Sequence, residues 1–189
     1  METLWIVLAS WLIADVGTGI IHWWQDHYLS DQTKSKFLKV LAADNELHHT
    51  NPRALTYLTN WENIAYSVYF AVPCVIIMLL AGLSIIWWLP IIFGSFANLI
   101  HKWSHLRKTE IPKVIAWVQK TGLFLSPPHH RKHHYAPGKT IMKEDTTERY
   151  CPMSDWMNPL LDTIKFFPFL EYCLRLIKIE TNKQNGNKI

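Results

Sequence analysis

The sequence predicts an all-α integral membrane protein with about three transmembrane helices, additional interfacial helices and a histidine-rich metal site on the cytoplasmic side. Three observations lead there. Of 189 residues, 49% are hydrophobic and ten are tryptophan, an unusual load for a soluble domain of this size. The apolar residues collect in two runs, 4–21 and 64–100, each about a bilayer thickness or longer if helical. All 19 Lys and Arg residues fall within 34–53 or after 101. The length suits a single membrane-embedded domain over 1–189.

The first run, 4–21, predicts one span, interrupted by Asp15. It lacks a basic leading region and a small-x-small cleavage site, so no cleavable signal peptide is expected. Residues 22–63 are polar and mixed. The run 64–100 is too long for one crossing, and Ala81-Gly82 with Ser84 marks a turn. A helical hairpin of about 64–80 and 83–100 follows, with Pro73 and Pro90 tolerated as local kinks. The segment 111–125 is amphipathic and short, an interfacial helix rather than a span. Pro127-Pro128 is expected to end it. Residues 129–165 read as a histidine box and a polar loop, and 166–179 as a short amphipathic helix. The tail 181–189 is expected to be disordered. Cys74, Cys151 and Cys173 form no CxxC pair, which gives neither a disulfide framework nor a zinc ribbon.

The ten histidines fall in four clusters: His22/His27, His48/His49, His101/His105 and His129/His130/His133/His134. With three crossings, every cluster emerges on one face of the membrane. The Lys and Arg residues share that face, and the positive-inside rule makes it cytoplasmic. Histidine is the commonest transition-metal ligand. Asp15, His22 and Asp26 lie within about 20–40° of one another on a helix. Asp15, inside the apolar layer, is expected to accept an N–H from a ligand histidine; the plainer alternative is a polar helix contact. Asp26 suits either a ligand or a ligand's partner. His27 points about 100° away from Asp26 and is the weakest histidine. Asn98, His101 and His105 form one stripe at offsets of three and four. HKWSH alone could equally be an interfacial anchor. HHRKHH contains two HxxxH pairs, and as a basic loop it would meet anionic headgroups. His48 and His49 follow Glu46.

There is no HExxH and no Cys/His zinc spacing, and eight or more imidazoles exceed what one tetrahedral zinc uses. Two metal ions in all-nitrogen shells at a bilayer surface point to a non-haem di-iron oxidase with two iron ions. Rival readings are a haem-binding membrane cytochrome and a non-catalytic metal- or lipid-binding membrane protein. No flavin or nicotinamide fingerprint is visible, so a separate electron-donor protein is expected. No nucleic-acid partner is expected.

At these residues the chain resembles the Kua/CarF lipid-desaturase family. The matching stretches are DVGTGIIHWWQD (15–26), HHTNPRALT (48–56), NLIHKWSH (98–105), HHRKHH (129–134) and, more weakly, YCPMSDWMNPL (150–160). They occur in order across most of 15–165. The resemblance implies an O₂-dependent di-iron enzyme that desaturates a membrane phospholipid chain. Vinyl-ether formation of the plasmanylethanolamine type is its most specific version; acyl-lipid desaturation or hydroxylation is the alternative. It maps ligands onto His22, His48, His49, His101, His105, His129, His130, His133 and His134, with Asp15, Asp26 and Asn98 also at family positions. Leu47 stands where the pattern has Glu, and His27 where it commonly has Thr or Ser. The segment around Trp156 is one residue short, which bears on Asn158.

Overall fold

The computed structural model describes residues 1–30, 33–135, 149–177 and 179. All regular elements among the described residues are helical. The expected tail 181–189 lies outside them.

Helix α1, Glu2–Tyr28, is 27 residues long. At 1.5 Å per residue it reaches about 40 Å, more than a hydrocarbon layer. It is the central strut, packed along its length against other helices. Helix α2, Lys36–Thr50, starts at Ser35, whose hydroxyl accepts the Leu38 N–H. A short α3, Ala54–Tyr57, leads to α4, Asn60–Leu80. A capping box opens α4: the Thr59 hydroxyl accepts the Glu62 N–H, and the Glu62 carboxylate accepts the Thr59 N–H. Pro73 sits inside α4 without ending it. The expected turn is present, with Gly82 at φ +61°, where a side chain would be strained.

Both α1 and α4 are long and apolar enough to cross a membrane. Their outer faces are bare: Val68, Tyr69, Val72, Ile76, Leu79 and Leu80 of α4 are exposed. Apolar faces of this extent need a lipid or protein cover.

The third expected span is divided. After a 3-10 turn at Ile85–Trp87 come α5, Trp88–Gly94, and α6, Ala97–Ser104. The break falls at a Gly-Ser pair. The Ser95 hydroxyl donates to the Ile91 carbonyl at 2.9 Å, competing with the backbone ladder.

Helix α7, Lys113–Lys120, has eight residues and spans about 12 Å, too short to cross a bilayer. It stops before Gly122 (φ +77°), earlier than Pro127-Pro128. Those prolines begin a helix instead of ending one. In a first turn the missing N–H is no loss, so α8 runs Pro127–His134 and carries the whole HHRKHH segment. That segment is therefore helical, not a loop. From residue 149 a buried irregular stretch leads to α9, Met157–Thr163, and α10, Phe166–Leu176.

Two apolar clusters brace α1. One joins Ala14 to Ala97, Ile100, Leu125 and Met153; the other joins Trp23 to Tyr150, Cys151, Leu161 and Phe167. The 150–154 stretch packs so closely that a Cβ on Gly19 would lie 2.8 Å from the Cys151 sulfur. Glycine at 19 is what lets this stretch touch α1.

Candidate metal centre

Helical periodicity sorts the histidines. On α8, residues 130, 133 and 134 fall within about 100° of arc, and 129 lies just past its edge, about 40° from 133, 100° from 130 and 140° from 134. On α6 and its end, 101 and 105 are one turn apart. On α1, His22 and Asp26 are one turn apart. On α2, adjacent His48 and His49 diverge by about 100°. Bringing these helices together yields two groups. In one, a ring nitrogen from each of His48, His101, His105, His130 and His134 lies within 4.8 Å of the others. The second meets the same criterion with His22, Asp26, His49 and His133. The groups abut: the His22 and His101 rings are 5.2 Å apart, and those of His49 and His134 5.1 Å.

The first group is a knot of converging lone pairs. The Nε2 atoms of His101 and His130 are 2.8 Å apart, those of His130 and His105 3.0 Å, and those of His105 and His101 3.2 Å. His134 Nε2 lies 2.9 Å from His130 Nε2. Neutral imidazoles carry one N–H each, so hydrogen bonds cannot satisfy every pair in such a triangle. Both ring nitrogens of His48 are buried with no hydrogen-bond partner. Burial, reinforced by the neighbouring imidazoles, holds the pKa values of His48, His130 and His134 well below the ordinary histidine range and brings His105 to about 3. Neutral imidazoles in this number, aimed at one point, fit a transition-metal cation.

The second group adds a carboxylate. Asp26 Oδ1 lies 2.9 Å from His49 Nε2 and 3.8 Å from His22 Nε2, and its Oδ2 is 3.4 Å from His133 Nε2. Asp26 thus stands among the converging atoms themselves. Asn45 donates to Asp26 Oδ1 at 3.0 Å. His22 donates from Nδ1 to the Tyr150 carbonyl at 2.9 Å, which fixes the ring and leaves Nε2 to face Asp26.

Five expectations need correction. His129 joins neither group: its Nε2 accepts from the Arg149 guanidinium at 2.6 Å, and its Nδ1 is 3.8 Å from Asp155. Its position on the edge of α8 turns it toward the 149–162 segment. Asp15 touches no histidine. Its two oxygens accept from the Met153 N–H at 2.9 Å and the Ser154 hydroxyl at 2.5 Å. It lies two turns from His22, level with the returning loop rather than with the metal groups. Asn98 bonds Asn63 across to α4 at 3.1 Å, a strut between helices. Fourth, the HHRKHH loop is a helix, as above, and fifth, its prolines start that helix.

His27, the weakest histidine by position, stays outside both groups and bonds the Tyr150 hydroxyl at 2.8 Å. Asn158 is buried and closes a two-way amide bridge with Cys151, accepting from its N–H and donating to its carbonyl, both at 2.9 Å. The residues that sequence reasoning passed over are Tyr150, Ser154 and Asn63, all fully buried. Tyr150 holds His22 through its carbonyl and His27 through its hydroxyl. Only the YCPMSDWMNPL stretch flagged that region.

Beside the groups lies a cavity of about 510 Å³ among α1, α2, α4, α5 and α6. Its wall is mainly apolar, with Ile13, Gly17, Leu41, Phe70 and Ile91 among its lining. His22, His48 and His101 face it at one end.

The lipid desaturase domain model matches residues 11–184. The chain belongs to the lipid desaturase family. It is 32% identical over 174 residues to a plasmanylethanolamine desaturase of Myxococcus xanthus, covering 87% of this chain and 58% of that protein. It is 30% identical to plasmanylethanolamine desaturase 1 of Mus musculus, covering 87% and 62%. It is 27% identical to the chloroplastic fatty acid desaturase 4-like 2 of Arabidopsis thaliana, covering 88% and 57%. The chain thus spans about three fifths of the length of these relatives. No solved structure matches it. A haem reading does not fit: four and five side chains converge at points where haem iron takes at most two axial ligands.

Proposed function

We propose that this lipid desaturase family member is an integral membrane enzyme that removes two hydrogens from a phospholipid chain, using O₂ and two iron ions. The observation that carries the reading is the 510 Å³ apolar cavity ending on His22, His48 and His101 of a nine-residue, two-group donor set. His48, His101, His105, His130 and His134 would hold one iron, and His22, Asp26, His49 and His133 the other. Iron bound there supplies the oxidising power that an unactivated C–H bond demands and that no side chain provides. The balance is one saturated CH₂–CH₂ unit, O₂, two electrons and two protons giving one CH=CH unit and two waters. The electrons come from a separate donor protein.

The chain's own residues position the substrate. The cavity walls take the hydrocarbon by burial alone, about 25 cal/mol for each Å² of apolar surface withdrawn from water. Gln25, Asp44, Asn45 and Tyr66 line the cavity too, polar groups that suit the headgroup end. The Tyr66 hydroxyl donates to Asp44 at 2.6 Å. The reacting carbons then lie near the headgroup and the chain tail runs down between α1 and α4. This placement favours a bond close to the glycerol, as in vinyl-ether formation on an ether phospholipid. The histidine face is the cytoplasmic one, because the Lys and Arg residues share it.

The test is direct. Iron-loaded protein in nanodiscs should convert a plasmanyl phospholipid to its vinyl ether when given O₂ and a reduced electron donor, with loss of product under anaerobic conditions. Conversion of acyl chains but not alkyl ethers would move the reading to acyl-lipid desaturation. No product from either, with two irons bound, would refute it.

A further inference from the structure

We infer that Gly17, in the middle of α1, sets how far a lipid chain extends beyond the histidine groups, and so which chain lengths are accepted. The inference rests on the lipid-chain reading above. Glycine inside a helix costs stability relative to alanine, so its presence calls for a reason. Gly19 has one, the contact with Cys151. Gly17 has no such reason: a Cβ built there meets nothing within 4 Å. Its φ is not positive, so no special backbone conformation requires glycine. Gly17 does line the 510 Å³ cavity. What the missing side chain supplies is open space in that cavity.

The depth follows from helix geometry. Gly17 precedes His22 by five residues, about 7.5 Å along the axis. Ile13, about 13.5 Å from His22 by the same rise, also lines the cavity, so the space continues past Gly17. The opposite walls register at the same level. The Ser67 hydroxyl accepts the Asn98 N–H at 3.0 Å, joining α4 to α6 near the histidines. One turn farther from the histidines on each side come Ala71 and Gly94. A Cβ on Gly94 would lie 3.4 Å from the Thr18 methyl, which places Gly94 level with Gly17 and Thr18. Gly17, Thr18, Ala71 and Gly94 all line the cavity. They form a collar of small side chains midway down it. A chain reacting at the histidines threads its tail through this collar. A large side chain at 17 would project into the passage and stop long tails there, while shorter tails would end above it.

The experiment measures product from vesicles carrying decyl, tetradecyl or octadecyl chains on one headgroup, with the full-length iron-loaded protein. Gly17→Ala should keep the wild-type chain-length profile and raise the melting temperature. Gly17→Phe should lower octadecyl turnover about tenfold or more while decyl turnover stays within about threefold, at wild-type iron content. Ala71→Phe, from the facing helix, should give the same skew and stands in if Gly17→Phe folds poorly. A uniform loss over all chain lengths, or an unchanged profile, overturns the inference. If the wild type makes no product, the desaturase reading fails instead. The variants are then scored by mass spectrometry of lipid chains that co-purify in detergent, where Gly17→Phe must shift the bound chains to shorter lengths; an unchanged distribution again overturns the collar.

Discussion

Asp15 is the residue whose role changes most between sequence and structure, and its substitution gives the sharpest test of how the centre is braced. Its oxygens accept from the Met153 N–H and the Ser154 hydroxyl, and the whole side chain is buried. These bonds clamp α1 to the loop whose Tyr150 carbonyl holds His22. A hydrogen bond contributes about 0.5–1.5 kcal/mol, up to about 3 kcal/mol where the acceptor is charged, and a buried donor left unpaired costs about 1–3 kcal/mol. Asp15→Ala removes both bonds and strands the Met153 N–H, so a loss of about 3–5 kcal/mol is expected. Asp15→Asn keeps one acceptor oxygen, and the Ser154 hydroxyl can reverse to accept from the new amide. Its loss should be about 1–2 kcal/mol. Denaturation in detergent, followed by iron analysis of protein purified at equal expression, measures both effects. Iron should fall in the order wild type, Asp15→Asn, Asp15→Ala, because His22 loses its anchor as the loop loosens. A double-mutant cycle with Ser154→Ala isolates the contact, with a coupling of about 0.5–3 kcal/mol expected. Strict additivity of Asp15→Asn and Ser154→Ala would refute the clamp. Full stability in Asp15→Ala would do the same.

Other predictions follow from the same geometry. His48→Ala, His101→Ala, His130→Ala and His133→Ala should each abolish iron retention in one group, whereas His129→Ala and His27→Ala should retain near-wild-type iron; loss at His129 equal to that at His130 would contradict its placement beside Arg149. Iron-free protein should lose stability as pH falls from 6.5 toward 3. His105, at about 3 when folded, stays neutral in that window while the unfolded chain takes up a proton, a cost of up to about 1.4 kcal/mol per pH unit for this one histidine. A stability flat with pH over that range would show that the buried imidazoles protonate freely. Gly122→Ala should destabilise by about 1–3 kcal/mol, since φ is +77° and the new Cβ would lie 2.6 Å from the Trp156 indole nitrogen, a clash that thermal unfolding registers. Single cysteines at Lys36, Lys108 and Lys132 should label from one common side in sealed vesicles; opposite labelling of Lys132 would break the shared metal centre.

Much was legible in the chain because it is written in local periodicity. The two long apolar helices follow from runs broken by a single charge, Asp15, and the turn at Gly82 from the small-residue break inside the second run. HxxxH at 101/105 and 130/134 and the His22/Asp26 pair follow from helical spacing, which aims residues one turn apart at one point whatever surrounds them. The parity of three expected crossings predicts the clusters on one face, and His22, near the end of α1, does meet histidines from the other clusters. Tertiary structure alone decided the rest. Periodicity puts His129 only at the edge of the α8 histidine face, about 40° past His133; it is the approach of Arg149 that keeps it out of both groups. Asp15 is decided the same way, because the partner it needs arrives from more than a hundred residues away. The division of the expected third span and the proline-started α8 turned on hydrogen bonds that a hydropathy pattern does not contain. The sorting of His48 and His49 into separate groups, and the cavity beside them, exist only once α1, α2, α4, α6 and α8 pack together, because a metal site and a passage are properties of facing surfaces and not of any one helix.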